Sequence, residues 1–385
     1  MKKMLKPTLL SLSLLTVMSG AAVAPAIAQI ASAFPAVSQT AIKYVLTLPA
    51  VFIIPFSLIS GRLSSRMSKR SILVAGLLLY LIGGLGGGLT NSFKLLLCSR
   101  AVLGIGVGLI MPLSTGLIAD FFEGKECAKL IGYSTAASSL GGIIATLTSG
   151  ILAVLGWRYS FSVYGLGLIV LVLVLLFLPE PVVATNASLK RQKLPRIVYA
   201  WAGGAFALMI AFYSIPVNLA MFVEGNSFGD ASTSGVAISV VTAFGFIAGM
   251  TYGRVKLFLK SFFPVVLFGL MALGYTLLSQ SMSLPQVLVA ASIIGLGFGW
   301  TMPTLVTGAI QVGGKGEGVQ VMAIVSSMIF LGQFLSPIVL DSMGELWGNP
   351  SARFTYSIIA FSLGTLFLAT LIRWTSRRRM NKFIS

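Results

Sequence analysis

Histidine is absent from the 385 residues, and acids are scarce: nine Asp and Glu stand against 27 Lys and Arg. The missing imidazole excludes histidine-based catalysis, most zinc chemistry and histidine pH switches. Two cysteines, Cys98 and Cys127, supply neither a disulfide framework nor a CxxC metal site; Cys98 falls in an apolar run and reads as a small packing residue. Charged residues make up only 9% of the chain and apolar ones 56%, where a soluble domain carries roughly 25% and 45–50%. Mean hydropathy is +0.96. Such a chain is too apolar for disorder and has too little polar surface to cover a water-soluble fold. Its solvent is mostly lipid. On a soluble protein the net charge of +18 would suggest a nucleic-acid partner; the placement of the charges gives another reading.

A helix needs about 20 apolar residues to cross a ~30 Å hydrocarbon layer. Twelve such segments are expected, at roughly 8–30, 41–61, 71–90, 93–117, 130–155, 159–178, 197–222, 234–253, 262–281, 285–311, 318–341 and 354–373. The fold class they predict is all-α: a polytopic membrane protein of 12 transmembrane helices in two six-helix bundles. The longest internal polar interval, Pro179 to Arg196, divides the chain nearly in half. It predicts an N-terminal bundle over 1–180, a linker over 181–196 and a C-terminal bundle over 197–385. Lys2, Lys3 and Lys6 followed by an apolar run and an Ala-rich stretch imitate a secretory signal; the run is long enough to span and is read as the first span.

Loop charges orient these spans. With both termini and the even-numbered joins on one side, that side collects 22 of the 27 basic residues, and the other holds Lys43, Lys94, Arg158 and Arg353. The basic side is therefore expected to be cytoplasmic, which accounts for the high net charge through topology and anionic-lipid contact, without nucleic acid. The expected location is the cell (inner) membrane.

The halves repeat. Gly104-Ile105-Gly106-Val107-Gly108 leads to Met111-Pro112, and Gly295-Leu296-Gly297-Phe298-Gly299 leads to Met302-Pro303, at an offset of 191. Gly61-Arg62-Leu63 matches Gly253-Arg254-Val255 at a similar offset. Glycines four apart let helix backbones touch in lipid. Parallel half-repeats place a binding site at their interface near the bilayer midplane.

Arg100 lies about seven residues into the fourth span, so ~10 Å deep. A charge there must face protein interior or water. Two readings stay open: a cavity arginine that orients substrate or tunes a proton site, or a residue that locks the bundle through backbone carbonyls or Gln29. None of the nine acids falls mid-membrane. Glu224 and Asp341, at the ends of the seventh and eleventh spans, are the candidates for proton coupling, beside Arg100.

Three patterns resemble the major facilitator superfamily, and within it the twelve-helix drug:proton antiporters. Between spans two and three, Gly61-Arg62-Leu63-Ser64-Ser65-Arg66-Met67-Ser68-Lys69-Arg70 is similar to the family's G-x-L-a-D-r-x-G-r-k, with Ser65 in place of the Asp and Ser68 in place of the second Gly. The resemblance implies a conformational motif of Gly61, Leu63, Arg66, Lys69 and Arg70, with Asp120 as a substitute acid. In span four, Leu96 to Arg100 followed by Leu103-Gly104-Ile105-Gly106 resembles L-x-x-x-R-x-x-q-G-x-g, with Leu103 for the Gln. In span five, Gly141 to Gly150 resembles the antiporter motif, with Thr146 for its Pro.

The resemblance implies a secondary transporter working by alternating access: proton-coupled efflux of lipophilic or amphipathic small molecules. A carrier of one metabolite or sugar is the alternative, and a non-transporting scaffold is the alternative of another class; an enzyme is not expected. Substrate-cavity candidates on the relevant spans are Arg100, Gln29, Met111, Ser138, Tyr213, Asn218, Trp300, Met328 and Gln333. Expected partners are a small-molecule substrate, protons and the lipid bilayer. No cofactor, metal or nucleic acid is expected, and the chain is expected to be a monomer.

Overall fold

The computed structural model describes residues 2–64, 66–179, 194–313 and 318–384, and all its regular elements are helices. In chain order they are α1 (Lys2–Ala21), α2 (Ile27–Ala33), α3 (Gln39–Leu63), α4 (Lys69–Gly86), α5 (Phe93–Phe121), α6 (Gly124–Leu155), α7 (Leu166–Phe177), α8 (Arg196–Gly225), α9 (Ala231–Leu259), α10 (Phe263–Gln280), α11 (Leu284–Gly313), α12 (Gly318–Leu346) and α13 (Ala352–Ile384). Among the described residues, eleven stretches are long and apolar enough to cross a membrane. One of them, Ala231–Gln280, holds both α9 and α10, separated by the 3₁₀ turn Lys260–Phe262. The expected boundary at 180–193 lies outside the described residues, as do Ser65, Lys315 and Glu317.

Two of the spans are not uniform α-helix. The first span is broken: α1 stops at Ala21 and a 3₁₀ turn, Ala24–Ala26, leads into α2. Pro25 is the cause, since proline lacks an N–H and disfavours helical geometry in the residue before it. Pro216, 191 residues later, lies inside the continuous α8. The sixth span opens as a nine-residue 3₁₀ segment, Trp157–Gly165, before α7.

The repeated glycines explain the packing within each half. An added Cβ at Gly104 would sit 2.5 Å from the Pro49 carbonyl oxygen of α3, and one at Gly106 would sit 2.7 Å from the Gly76 oxygen of α4. In the second half, Gly295 and Gly299 press against the carbonyls of Val241 and Gly245 on α9, while Gly297 meets Met271 on α10. The outer glycines of each triplet thus admit one neighbour and the middle glycine admits the other. In lipid, where apolar burial gives helices little preference for one another, this backbone proximity supplies the dispersion contacts.

α1–α7 pack chiefly among themselves, as do α8–α13; between the groups run two main crossings, α3 on α12 and α6 on α9. Both are tight where α3 and α9 begin and α6 and α12 end, which we term the distal face. Lys43 and Thr40 reach Asp341, the rings of Tyr44 and Phe334 stack with centroids 5.9 Å apart, and Thr146 and Ser239 share a 2.5 Å hydroxyl contact. The start of α1 lies on the opposite, proximal face, where Lys6 pairs with Glu126 at the start of α6.

Candidate functional site

A cavity of about 390 Å³ lies where the two groups of helices meet, lined by α1, α3, α5, α6, α8, α9, α11 and α12. Its walls are mostly apolar. Met209, Phe212, Phe298 and Phe330 face it, and Phe212 and Phe298 stack at 3.6 Å between centroids. Most polar wall residues are occupied by their own helices. Thr16 donates to the Ser13 carbonyl, Ser19 to that of Thr16, Thr146 to that of Gly142, and Thr242 to that of Ile238. Tyr213 and Gln333 differ: both line the cavity, and neither side chain makes a hydrogen bond among the described residues.

Of the nine sequence-predicted cavity residues, Met111, Tyr213 and Gln333 line this space. The other six stand elsewhere. Ser138 donates to the Ser13 carbonyl at 2.9 Å, tying α6 to α1. Trp300 Nε1 donates to Thr251 Oγ1 at 3.2 Å. Met328 packs against a separate small cluster with Val198 and Ala202. Gln29 is half-buried on α2. Asn218 is buried and lines a second cavity on the distal face.

Arg100 is fully buried yet does not reach the central cavity. Nη2 donates to the carbonyls of Gly83 and Gly84 at 2.6 and 3.0 Å, and Nη1 donates to the Tyr164 hydroxyl at 3.0 Å. The guanidinium lies over the rings of Phe161 and Tyr164, at 4.6 and 5.1 Å from their centroids. Tyr164 passes the bond on, donating to the Ser19 carbonyl at 2.8 Å. The glycine run at the end of α4 and in the 3₁₀ turn Gly87–Leu89 makes the space: a Cβ at Gly84 would strike the Tyr164 ring, and one at Gly87 would strike Phe161 and Arg100 Nη2. A buried guanidinium whose donors end on fixed carbonyls ties α5, α4 and the Trp157–Gly165 segment together. Gln29 is not among the hydrogen-bond partners of Arg100.

The distal face holds the second cavity, about 910 Å³, lined by two of the three proton-coupling candidates, Glu224 and Asp341, and not by Arg100. Lys43 Nζ sits 2.6 Å from Asp341 Oδ1, with side chains 5% and 12% exposed, and Thr40 donates to Oδ2 at 2.8 Å. Glu224 has one buried carboxylate oxygen, Oε1, without a hydrogen-bond partner among the described residues. Beyond it, Asp230 caps α9, accepting the Thr233 N–H and hydroxyl, each at 2.9 Å.

On the proximal face Lys69 donates to Asp120 at 2.7 Å, joining the start of α4 to the end of α5. Arg70 donates to the Leu175 carbonyl of α7. Gly61 has open space around it, and Leu63 packs on the core. Arg66 lies in the turn, its N–H bonded to the Leu63 carbonyl.

Sequence reasoning missed Phe212, Phe298 and Phe330. Aromatic residues are so common on these spans that no local signal separates a wall ring from a packing ring. The Lys43–Asp341 pair was missed for another reason: its partners lie 298 residues apart, and each alone reads as a solvated helix end.

A sequence profile described as Major Facilitator Superfamily matches residues 9–337. The chain is 28% identical over 145 residues to the quinolone resistance protein NorA of Staphylococcus aureus (strain Mu50 / ATCC 700699), a match covering 37% of each. It is 31% identical over 106 residues to the multidrug transporter protein MdtP of Bacillus subtilis (strain 168), covering 27% of this chain and 20% of that one. The matched segments thus span little more than a third of the first relative and a fifth of the second. Among solved structures, a bacterial homolog of the human lysosomal transporter Spinster superposes with a TM-score of 0.74 at 16% identity, over 97% of this chain and 95% of that one. The nucleoside transporter NupG (D323A mutant) superposes at 0.73 and 12% identity, over 95% and 99%. With eleven stretches among the described residues long and apolar enough to span a bilayer, the chain belongs to the Major Facilitator Superfamily and is an integral, multi-pass membrane protein.

Proposed function

We propose that this chain is a twelve-span carrier of two six-helix bundles, 1–180 and 197–385, that expels lipophilic or amphipathic small molecules by alternating access at the expense of the proton gradient. One observation carries the reading: a mostly apolar cavity lies between the two groups of helices, closed on the distal side by contacts between α3 and α12 and between α6 and α9. Transport through it requires those contacts to break while the opposite side closes. Small residues and prolines along these helices suit such rocking. The names of the relatives, quinolone resistance and multidrug transporter, favour drugs as cargo.

In this reading the proximal face is cytoplasmic in the cell (inner) membrane, with both termini and the 181–196 linker on that side, because the basic residues gather there. The unit is a monomer. Protons act at the distal face, where Asp341 pairs with Lys43 and Glu224 lines the same cavity. Lys69 and Asp120 brace the proximal ends of α4 and α5, and Arg100 holds the first bundle rigid behind the cavity wall.

The test is uphill transport in proteoliposomes with a panel of uncharged lipophilic dyes, antibiotics and sugars, each with and without an uncoupler. Accumulation of lipophilic compounds that the uncoupler abolishes is expected. Uncoupler-insensitive transport, or movement of sugars alone, contradicts the proposal.

A further inference from the structure

The charges around the central cavity are arranged in one sense. No charged residue lines the cavity among the described residues. The charge set directly behind its wall is positive: Arg100 bonds to the Tyr164 hydroxyl, which donates to the carbonyl of Ser19, and Ser19 lines the cavity. Arg100 takes part in no ion pair with a carboxylate among the described residues. Three acids, Glu224, Asp341 and Glu345, line the distal cavity instead.

A cation entering this space would leave water without meeting a counter-ion, in the field of a buried cation. An anion would meet that field but no donor of Arg100, because Arg100 does not line the cavity and bonds to Tyr164, Gly83 and Gly84 behind it. A neutral polar group fares differently. The Tyr213 hydroxyl both donates and accepts, as does the Gln333 amide, and both face the cavity without another partner. Each side chain satisfies one amide, hydroxyl or carbonyl on a ligand whose remainder fills the space against Phe212, Phe298 and Phe330.

We infer that the central cavity selects by charge: it takes molecules in their uncharged form, largely apolar, carrying a neutral hydrogen-bonding group that Tyr213 and Gln333 recognise, and it discriminates against permanent cations. This rests on the reading of the cavity as the transport site and narrows its cargo. It separates cargo binding from the acids of the distal face, so that protons act on the gate and not on the cargo's counter-ion.

The test is equilibrium binding to the purified full-length protein in lipid nanodiscs, using four intrinsically fluorescent probes on one ring system. They are 2-naphthamide (neutral), 2-naphthoate (anionic), 2-naphthylmethyl-trimethylammonium (cationic) and 2-ethylnaphthalene (neutral, without a hydrogen-bonding group). The amide is expected to bind at least tenfold tighter than the ammonium ion and tighter than the carboxylate. Tyr213→Phe and Gln333→Leu are each expected to weaken the amide about five- to tenfold and to leave 2-ethylnaphthalene within twofold. Binding of the ammonium as tight as that of the amide, no binding of the amide, or an equal loss for all four probes in both variants overturns the inference. Binding is read without transport. Charge selection without uphill movement therefore counts against the transport reading alone, and uphill movement without charge selection counts against this inference alone.

Discussion

Lys43 Nζ lies 2.6 Å from Asp341 Oδ1, and this nearly buried pair is the one ion pair joining the two groups of helices among the described residues. Thr40, one turn before Lys43, holds the other carboxylate oxygen. Removing one member of a buried pair leaves an uncompensated charge, at a cost of about 3–5 kcal/mol. Replacing both in reversed order restores the attraction.

The first prediction follows. In a background without Cys98 and Cys127, Asp341→Asn or Lys43→Gln should raise the labelling rate of Asn218→Cys by a membrane-impermeant maleimide at least tenfold. The pair Lys43→Asp with Asp341→Lys should return it to within about threefold of the parent. Unchanged labelling in the single variants would show that the pair does not hold the distal face shut.

Arg100 gives the second. Its bonds to Gly83, Gly84 and Tyr164 tie three segments together away from the cavity. Arg100→Ala should lower the unfolding temperature on the order of 5–10 °C, from a loss of roughly 2–4 kcal/mol of charge-assisted bonding. Arg100→Lys, which keeps the charge and loses the planar fork, should recover only part of it. The folded fraction should bind a cavity ligand within threefold of the parent. A variant of ordinary stability that loses binding would place Arg100 in the cavity instead.

Much of this architecture was legible in the sequence. Apolar run length located the spans, because lipid leaves helices as the way to satisfy the backbone of an open chain. The GxGxGxxMP repeat pointed to equivalent helices, and the structure shows what each glycine touches. Helix shape was less legible: Pro25 and Pro216 carry the same residue at the same repeat position, yet the first breaks its helix and the second does not. The cavity wall was the least legible part. Tyr213 and Gln333 stand out because their neighbours bond to their own helices, a property of the assembled bundle. Arg100 was conspicuous as a charge, but its glycine cradle at the end of α4 and in the turn after it looked like any flexible run.

The third prediction contrasts two glycines. Gly104→Leu should abolish folded protein, because its side chain would enter the Pro49 backbone on α3. Gly61→Ala, with nothing within 4 Å of the added carbon, should leave expression and the unfolding temperature within about 2 °C of the parent. Equal tolerance at both positions, read by size-exclusion profile and thermal unfolding, would contradict the packing account of the repeat.

The fourth concerns pH. The hydrogen bonds from the Thr233 N–H and hydroxyl hold the Asp230 carboxyl below its ordinary value. A carboxyl depressed in the folded state stabilises it above the unfolded value and loses that contribution as pH falls through the folded one. Asp230→Ala should cost about 1 kcal/mol at neutral pH, and the gap between variant and parent should narrow below about pH 4. A constant gap from pH 7 to pH 3 would assign the loss to packing.

The central claim is that the two halves rock about the shared cavity. Nitroxide pairs report it by pulsed electron resonance: Ala36 with Glu345 across the distal face, and Lys125 with Lys260 across the proximal face, with and without the Asp341→Asn substitution. The account predicts opposite shifts, the distal distance lengthening as the proximal one shortens. Distances that stay fixed on both faces, or that move in the same direction, would contradict it.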